Sequence, residues 1–430
     1  MPAPSASAGL PQWLAYLEAL HPATIDLGLE RVVAVRERLA LQPQFPILTV
    51  GGTNGKGSTS AMLESCLRCA RYRTGLYTSP HLLRYNERVC IDGRQADDRS
   101  LVAAFQTVEQ ARGDCSLTYF EFGTLAAMLM FIEARVEVAV LEVGLGGRLD
   151  AVNAFEPSCA IVTSVDLDHQ NYLGTTREQI GREKAGILRA HVPAIVADPE
   201  PPVSLLEHAN AIGAEIYLIE RDFGYRANET QWEYWDWRSA RTVLPLPALR
   251  GAYQLSNASA ALAALSALRA RLPVEMGAIR RGLIQVELPA RFQVLPGRPA
   301  VVLDVAHNPH AARRLADNLR HMDGRGRRLA VFAMLKDKDI TGVVAAMSEV
   351  IDAWFIAPLT GPRGADQPTL ESAFQRAGAA QSVNAFESIE RALSAAMEQA
   401  QPDDKIIVFG SFYTVADALR AKSIKQKSIN

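Results

Sequence analysis

A chain of 430 residues is long enough for two or three domains of roughly 150 residues each and for a large core, which excludes a miniature disulfide scaffold. Lys+Arg 45 against Asp+Glu 47 leaves a formal charge of -2, and 21% charged with 48% hydrophobic residues is a soluble globular composition without a global basic field for nucleic acid. The five cysteines (Cys66, Cys69, Cys90, Cys115 and Cys159) are odd in number and scattered, so free thiols in a reducing cytoplasm are expected rather than a secreted framework.

The opening MPAPSASAGL has neither a basic nor an apolar signal region and reads as a loose tail. A buried strand is predicted at Phe45–Val50, a helix at Ser58–Ala70, and further buried strands at Val136–Val143 and Ala160–Val165. Apolar runs such as Leu125–Ile132 stop short of the ~18–20 residues needed to cross a bilayer, so no membrane span is expected. The alternating WEYWDW, within Arg221–Arg241, reads as a short antiparallel strand against the main sheet. At Pro296–Pro299 (PGRP) the chain is punctuated, and strands at Val301–Val305, Leu329–Ala333, Ala353–Ala357 and Lys405–Phe409 then alternate with helices. The pattern predicts an α/β protein: an N-terminal parallel-sheet domain over residues 1–296 and a smaller doubly wound domain over 297–430. The terminal RAKSIKQKSIN reads as a frayed basic end.

The strand FPILTV runs into Gly51-Gly52-Thr53-Asn54-Gly55-Lys56-Gly57-Ser58-Thr59 and at once into a helix. Such a turn lets successive N–H groups and a helix N-terminus surround phosphate, with Lys56 reaching the β/γ-phosphates and Ser58 or Thr59 facing a metal. The loop departs from the general G-x-x-x-x-G-K-[ST] pattern, because Val50 stands where the first glycine belongs and Gly57 follows the lysine.

Glu142, near the carboxyl end of a buried strand, is placed where open sheets receive ligands, and a cation is the economical partner for a carboxylate in AVLEVG. His169, in Asp166-Leu167-Asp168-His169, either joins Glu142 on a metal or hydrogen-bonds its loop. Ser79, beside Pro80, offers a hydroxyl to Mg²⁺. On residue pattern alone, Lys184 in REKAGI belongs to an exposed charged helix face, and Cys66 and Cys69 are packing residues of a helix.

Together GGTNGKGST, TSPHLLRYNERV, TYFEFGTLAA, LEVGLGGRLDAVN, DLDHQNYLG, REKAGI, LPARFQVL and LDVAHNP resemble the folylpolyglutamate synthase/dihydrofolate synthase family, a branch of the Mur ligase superfamily, over nearly the whole chain. The family's phosphate loop carries the same displaced glycines. The resemblance implies an N-terminal phosphate-loop ATPase-like domain and a Rossmann-like C-terminal domain. It implies ATP on Asn54, Gly55, Lys56, Gly57 and Ser58, with Asn257, Arg291 and Asp304 completing that site. Mg²⁺, at two sites, is implied on Ser79, Glu142, His169 and an N-carboxylated Lys184. Lys56, Lys184 and His169 are the implied catalytic residues. The pterin is implied on Thr118, Tyr119, Phe120, Glu121, Leu149, Asp150 and Ala151, with Thr24–Leu29 nearby, and glutamate near His307, Asn308 and Ser411.

The activity so implied is ATP-dependent addition of L-glutamate to dihydropteroate and to the γ-carboxyl of reduced folates through an acyl phosphate, by a cytoplasmic monomer. The alternatives are glutamate-tail extension alone, another Mur-type amide ligase, or a phosphate-loop regulatory ATPase or kinase in which Glu142, His169 and Lys184 are structural.

Overall fold

The structure, a computed structural model, describes residues 3–5, 7–228, 230–238, 242–322, 326–379 and 383–421. Residues 422–430, most of the basic terminal segment, lie outside that set. The chain divides into two compact units. One takes in the chain up to Asp166, with Leu173–Ala248 and Gln254–Glu287, and the other takes in Leu167–Tyr172, Leu249–Tyr253 and the chain from Leu288 onward.

In the N-terminal unit the strands are β1 (Ile47–Gly51), β2 (Thr74–Tyr77), β3 (Val89–Ile91), β4 (Arg94–Gln95), β5 (Val138–Glu142), β6 (Cys159–Val162), β7 (Pro193–Val196) and β8 (Glu215–Leu218). They form one sheet in the order β4-β3-β2-β5-β1-β6-β7-β8. Pairing is parallel along β2-β5-β1-β6-β7-β8, and the antiparallel pairs are β2–β3 and β3–β4, so β3 alone runs against the rest. Burial of every residue of β1, β5 and β6 explains why their sequences are largely apolar instead of alternating, with Thr49 and Glu142 the exceptions. At one edge, two-residue β4 exposes Arg94 and Gln95, which blunts the edge against strand addition.

Two helices carry the local logic of this unit. Helix Lys56–Cys69 starts directly after the loop that ends β1. Helix Tyr119–Glu133 is apolar nearly all round, as a core helix must be, and starts on a capping box: Thr118 Oγ1 accepts from Glu121 N–H at 3.2 Å while Glu121 Oε2 accepts from Thr118 N–H at 2.7 Å.

WEYWDW does form an antiparallel strand, but not against the main sheet. Strands β9 (Phe223–Ala227), β10 (Gln231–Asp236) and β11 (Thr242–Pro245) make a separate three-stranded sheet, β11-β10-β9. The alternation that buries Trp232, Tyr234 and Asp236 while leaving Glu233 and Trp235 half-buried suits a sheet with one wet face, whereas the main sheet covers both faces of its strands.

The C-terminal unit is built on β12 (Gln293–Leu295), β13 (Ala300–Leu303), β14 (Arg328–Phe332), β15 (Ala353–Ile356), β16 (Val383–Ala385) and β17 (Lys405–Phe409), ordered β12-β13-β17-β14-β15-β16. All pairs are parallel except β12 with β13. Pro296–Pro299 is therefore the turn of the β12–β13 hairpin, and the unit's continuous run starts upstream of it at Leu288, since β12 draws its ladder partner from the C-terminal sheet. Phe332, Trp354, Phe374 and Phe409 pack edge-on or tilted at the centre of its core.

Helix Met276–Gln285 lies so close to helix Lys56–Cys69 that a Cβ on Gly282 would come within 2.7 Å of the Cys66 backbone nitrogen, and Ser65 Oγ donates to the Gly282 carbonyl at 2.8 Å. Cys66 is part of this contact, with burial pushing its thiol up to about 12, and Cys69 Sγ meets Gln285 Oε1 at 3.4 Å. Both cysteines pack, as the sequence suggested. Gly282→Ala is expected to destabilise the protein by roughly 2 kcal/mol, because the facing atoms are backbone and cannot turn aside. Exposed Gly277 in the same helix meets only the end of Arg281 at 3.4 Å, so Gly277→Ala should stabilise by about 0.5–1 kcal/mol. Thermal unfolding of both variants checks the opposite signs.

Candidate active site

The phosphate-type loop is fixed by the strand beside it. Thr53 N–H donates to the Ser164 carbonyl at 2.7 Å, and Asn54 N–H donates to Ser164 Oγ at 3.1 Å. Thr163 Oγ1 donates to the Asn54 carbonyl at 2.7 Å. Thr53 Oγ1 and Asp166 exchange two further bonds, 3.1 and 3.0 Å. Two glycines are obligatory. At Gly52 (φ 140°) a Cβ would lie 2.0 Å from Thr163 Oγ1, and at Gly55 (φ 93°) it would lie 2.4 Å from Asn257 Oδ1. Asn257 is thereby placed against the loop, its amide donating to Gln254 Oε1 at 2.9 Å. Lys56 opens the helix, and its ammonium folds back onto the carbonyls of Gly52 (3.0 Å) and Thr53 (3.2 Å). Gly57, Ser58 and Thr59 are buried in the first turn, and Thr59 Oγ1 has no partner among the described residues. Sequence reasoning passed over Thr163 and Ser164, whose signal was the pair of small hydroxyls directly after a buried strand.

The register of the sheet sets Val50, last residue but one of β1, opposite Glu142, the last residue of β5. A buried carboxylate (4% exposed) thus stands next to the strand that delivers the loop. On its other side β5 pairs with β2, beyond which Ser79 N–H donates to Glu142 Oε2 at 3.3 Å. Lys184 is 3% exposed, so the exposed-face reading of REKAGI fails for it. Helix Arg177–Ala185 turns Arg182 and Glu183 outward and Ile180, Gly181 and Lys184 inward. Its end is tied to LGGRLDAVN: Arg148 N–H donates to the Glu183 carbonyl at 2.8 Å, and Asn153 Nδ2 donates to the carbonyls of Arg148 (2.9 Å) and Gly186 (3.0 Å).

That tie presents Leu149, Asp150 and Ala151. Asp150 is buried and caps the short helical turn Ala151–Ala154, its carboxylate accepting from Val152 N–H (3.0 Å) and Leu145 N–H (2.8 Å). Burial pushes its carboxyl up to about 7, against the opposing pull of those N–H groups and of Lys56. Of the TYFE residues, Thr118 and Glu121 are spent on the helix cap, and Glu121 also accepts from Arg31 Nε at 3.2 Å. Arg31 reaches Asp26 at 2.7 Å as well, which joins the Thr24–Leu29 segment to TYFE. Tyr119 and Phe120 are half-buried, and Phe120 lies against Tyr77 (ring centroids 5.8 Å) above Gly144, where a Cβ would meet its ring at 2.7 Å.

In the C-terminal unit, the segment Leu167–Tyr172 brings Asp168 and His169 beside Lys338, His307 and Asn308. Asp168 accepts from Lys338 Nζ at 2.5 Å and from Asn308 Nδ2 at 3.0 Å, with His307 Nε2 at 3.5 Å. Burial would raise this carboxyl, but the His307 hydrogen bond and the charges of His307, Lys338 and His169 hold it well below the usual carboxylate range. His169 adopts φ 51° and lies 3.1 Å through Nε2 from Lys338 Nζ. Asp304 follows β13 and accepts from Phe292 N–H and Ala306 N–H, each at 2.8 Å; burial raises its carboxyl. Arg291 stacks on Phe412 at 5.0 Å, and Ser411 caps helix Phe412–Arg420. The pairing of Lys338 with Asp168 carries no recognisable motif in AMLKDKD or DLDH.

Ser79 and Glu142 are hard oxygen donors beside a phosphate-type loop, a set that fits a divalent cation shared with phosphate oxygens. Among the described residues no group of three or more His, Cys, Asp or Glu side chains could hold a metal by itself. No described helix is long and apolar enough to cross a membrane.

Two family models match the chain: the Mur ligase middle domain at residues 50–265 and the Mur ligase glutamate ligase domain at residues 290–412. The dihydrofolate synthase/folylpolyglutamate synthase of Escherichia coli is 46% identical over 417 residues, covering 97% of this chain and 96% of that protein. Its counterpart in Haemophilus influenzae is 38% identical over 432 residues, covering 96% and 97%. Among solved structures, Escherichia coli FolC in complex with DHPP and ADP superposes with a TM-score of 0.93 at 45% identity, covering 99% of this chain and 100% of that one. The Yersinia pestis bifunctional folylpolyglutamate synthase/dihydrofolate synthase with Mn, AMPPNP and L-glutamate bound gives 0.90 at 45%, covering 97% and 99%.

The raised Asp150 carboxyl has a consequence for stability. An unfolded aspartate loses its proton near pH 4, the folded one only near 7, so this group's contribution is intact below about 4 and is lost as pH rises to about 7. Asp150→Asn keeps the acceptor for Val152 and loses the one for Leu145. Melting temperature against pH is expected to fall less between about 4 and 7 in the variant than in the parent, whereas identical slopes would mean Asp150 is ionised throughout.

Proposed function

The chain belongs to the dihydrofolate synthase/folylpolyglutamate synthase family of Mur ligases, and we propose that its phosphate loop, the Ser79–Glu142 pair and buried Lys184 carry the family's ATP-dependent ligation in this protein. The reaction joins L-glutamate to dihydropteroate, and further glutamate to the γ-carboxyl of reduced folates. The observation that carries the assignment is the register pair Val50–Glu142, which sets a buried carboxylate beside the loop.

A carboxylate is a poor electrophile toward an amine. Transfer of the γ-phosphoryl group of ATP makes it an acyl phosphate, which the α-amine of glutamate then attacks, releasing phosphate. The N–H groups of residues 54–58 and the helix N-terminus receive the phosphates of ATP. Lys56 exchanges its bonds to the Gly52 and Thr53 carbonyls for phosphate oxygens and offsets the charge that moves with the phosphoryl group. Asn257 at the loop, with Arg291 and Asp304, is assigned to the rest of the nucleotide. Ser79, Glu142 and His169 are the residues that would hold a divalent cation, Mg²⁺ in this reading, which would supply charge neutralisation on the phosphates. The neutral amine of Lys184 is the form that reacts with CO₂ to give a carbamate anion and a proton, and that anion is the proposed ligand at a second cation site.

Tyr119, Phe120 and the Leu149–Ala151 turn are assigned to the pterin, with Thr118 and Glu121 holding the helix that presents them. Asn308, His307 and Ser411, at two helix N-termini of the C-terminal unit, are assigned to the carboxylates of glutamate. The free cysteines suit a cytoplasmic protein, and a monomer supplies every residue the scheme uses.

Lys56→Ala is expected to lower the ligation rate with ATP, glutamate and dihydropteroate at least about a hundredfold while the circular dichroism spectrum is unchanged. Retention of most activity would remove the phosphate-loop assignment. Labelled bicarbonate should give a carbamate carbon resonance in the parent that Lys184→Ala lacks; equal signals in both proteins would return Lys184 to a purely structural role.

A further inference from the structure

Arg88 is a half-buried cation that forms an ion pair with no carboxylate among the described residues. Its place is taken by aromatic faces. The guanidinium carbon lies 5.4 Å from the centroid of the Tyr85 ring and 5.4 Å from that of Tyr119. The two rings meet edge to face at 5.7 Å and 84°. Arg88 Nε donates to His81 Nδ1 at 2.9 Å, so the neutral His81 ring carries its proton on Nε2. The backbone adds a further restraint, with Thr78 N–H donating to the Arg88 carbonyl at 2.9 Å.

Tyr85 is buried, its hydroxyl filling the space above Gly123, where a Cβ would come within 2.4 Å. Tyr119 is half-buried in the first turn of its helix, where the Arg88 guanidinium lies over its ring and the edge-to-face contact with Tyr85 meets it from the side. A guanidinium between two rings contributes its attraction most strongly where water is excluded, and Arg does so as a plane that a lysine ammonium does not match.

We propose that Arg88 is a positioning residue for the folate-side substrate: it locks Tyr119, next to Phe120, in the orientation that receives the fused pterin ring. The proposal rests on the assignment of Tyr119 and Phe120 to the pterin. Its effect reaches the substrate through Tyr119 and does not extend to the nucleotide.

The test is steady-state kinetics of the full chain with dihydropteroate, ATP and glutamate. Arg88→Met is expected to raise KM for dihydropteroate roughly tenfold, the equivalent of losing two partly desolvated cation–π contacts, with KM for ATP within about twofold of the parent. Arg88→Lys should recover part of the loss, and it remains informative if the Met variant does not fold. In a Tyr119→Leu background the Arg88→Met change should add little, since the ring through which it acts is gone. Equal rises in both KM values, full additivity with Tyr119→Leu, or an unaltered KM for dihydropteroate in Arg88→Met would each overturn the proposal. Phe120→Ala separates the two levels: an unchanged dihydropteroate KM there removes the pterin assignment itself, whereas a raised one beside a silent Arg88→Met removes only the role of Arg88.

Discussion

One pairing organises the N-terminal unit: β1 and β5 lie parallel with Val50 opposite Glu142. A loop of converging N–H groups on its own attracts anions, and a buried carboxylate on its own resists burial. Side by side at the mouth of one sheet, they form the place proposed above for phosphate together with a cation. Every residue of β1, β5 and β6 is buried, so the same packing that forms the core also holds Glu142 beside the loop.

Charged groups elsewhere follow one rule with different solutions. Asp150 is surrounded by backbone N–H groups yet is buried enough for its carboxyl to rise. Asp168, also buried, is held down because two histidines and a lysine converge on it. Arg88 uses ring faces. The difference lies in whether full countercharge or only dipoles and quadrupoles replace water, and that decides which groups ionise near neutral pH.

Most of the architecture was legible because it rests on local pattern. Continuous apolar strands and the GGTNGKGST turn each write their structure in adjacent residues. What escaped depends on partners far along the chain. Lys184 looks like a surface lysine until its helix is seen to turn that side inward against LGGRLDAVN. WEYWDW has the period of a strand, but nothing in that period says which sheet it joins. PGRP reads as a boundary because turn residues punctuate hairpins and linkers alike, and only the β12–β13 ladder tells them apart. Lys338 and Asp168 lie far apart in sequence, so no spacing rule links them.

The absence of a side chain at Gly55 ties two distant stretches of sequence into one mechanical element. Because Asn257 Oδ1 fills the space a Cβ would need, the helix carrying Asn257 cannot shift toward the loop, nor the loop toward it, without collision. Drift in either direction is resisted at a point more than two hundred residues downstream of the glycine, so evolutionary change at one of these two positions is constrained by the identity of the other.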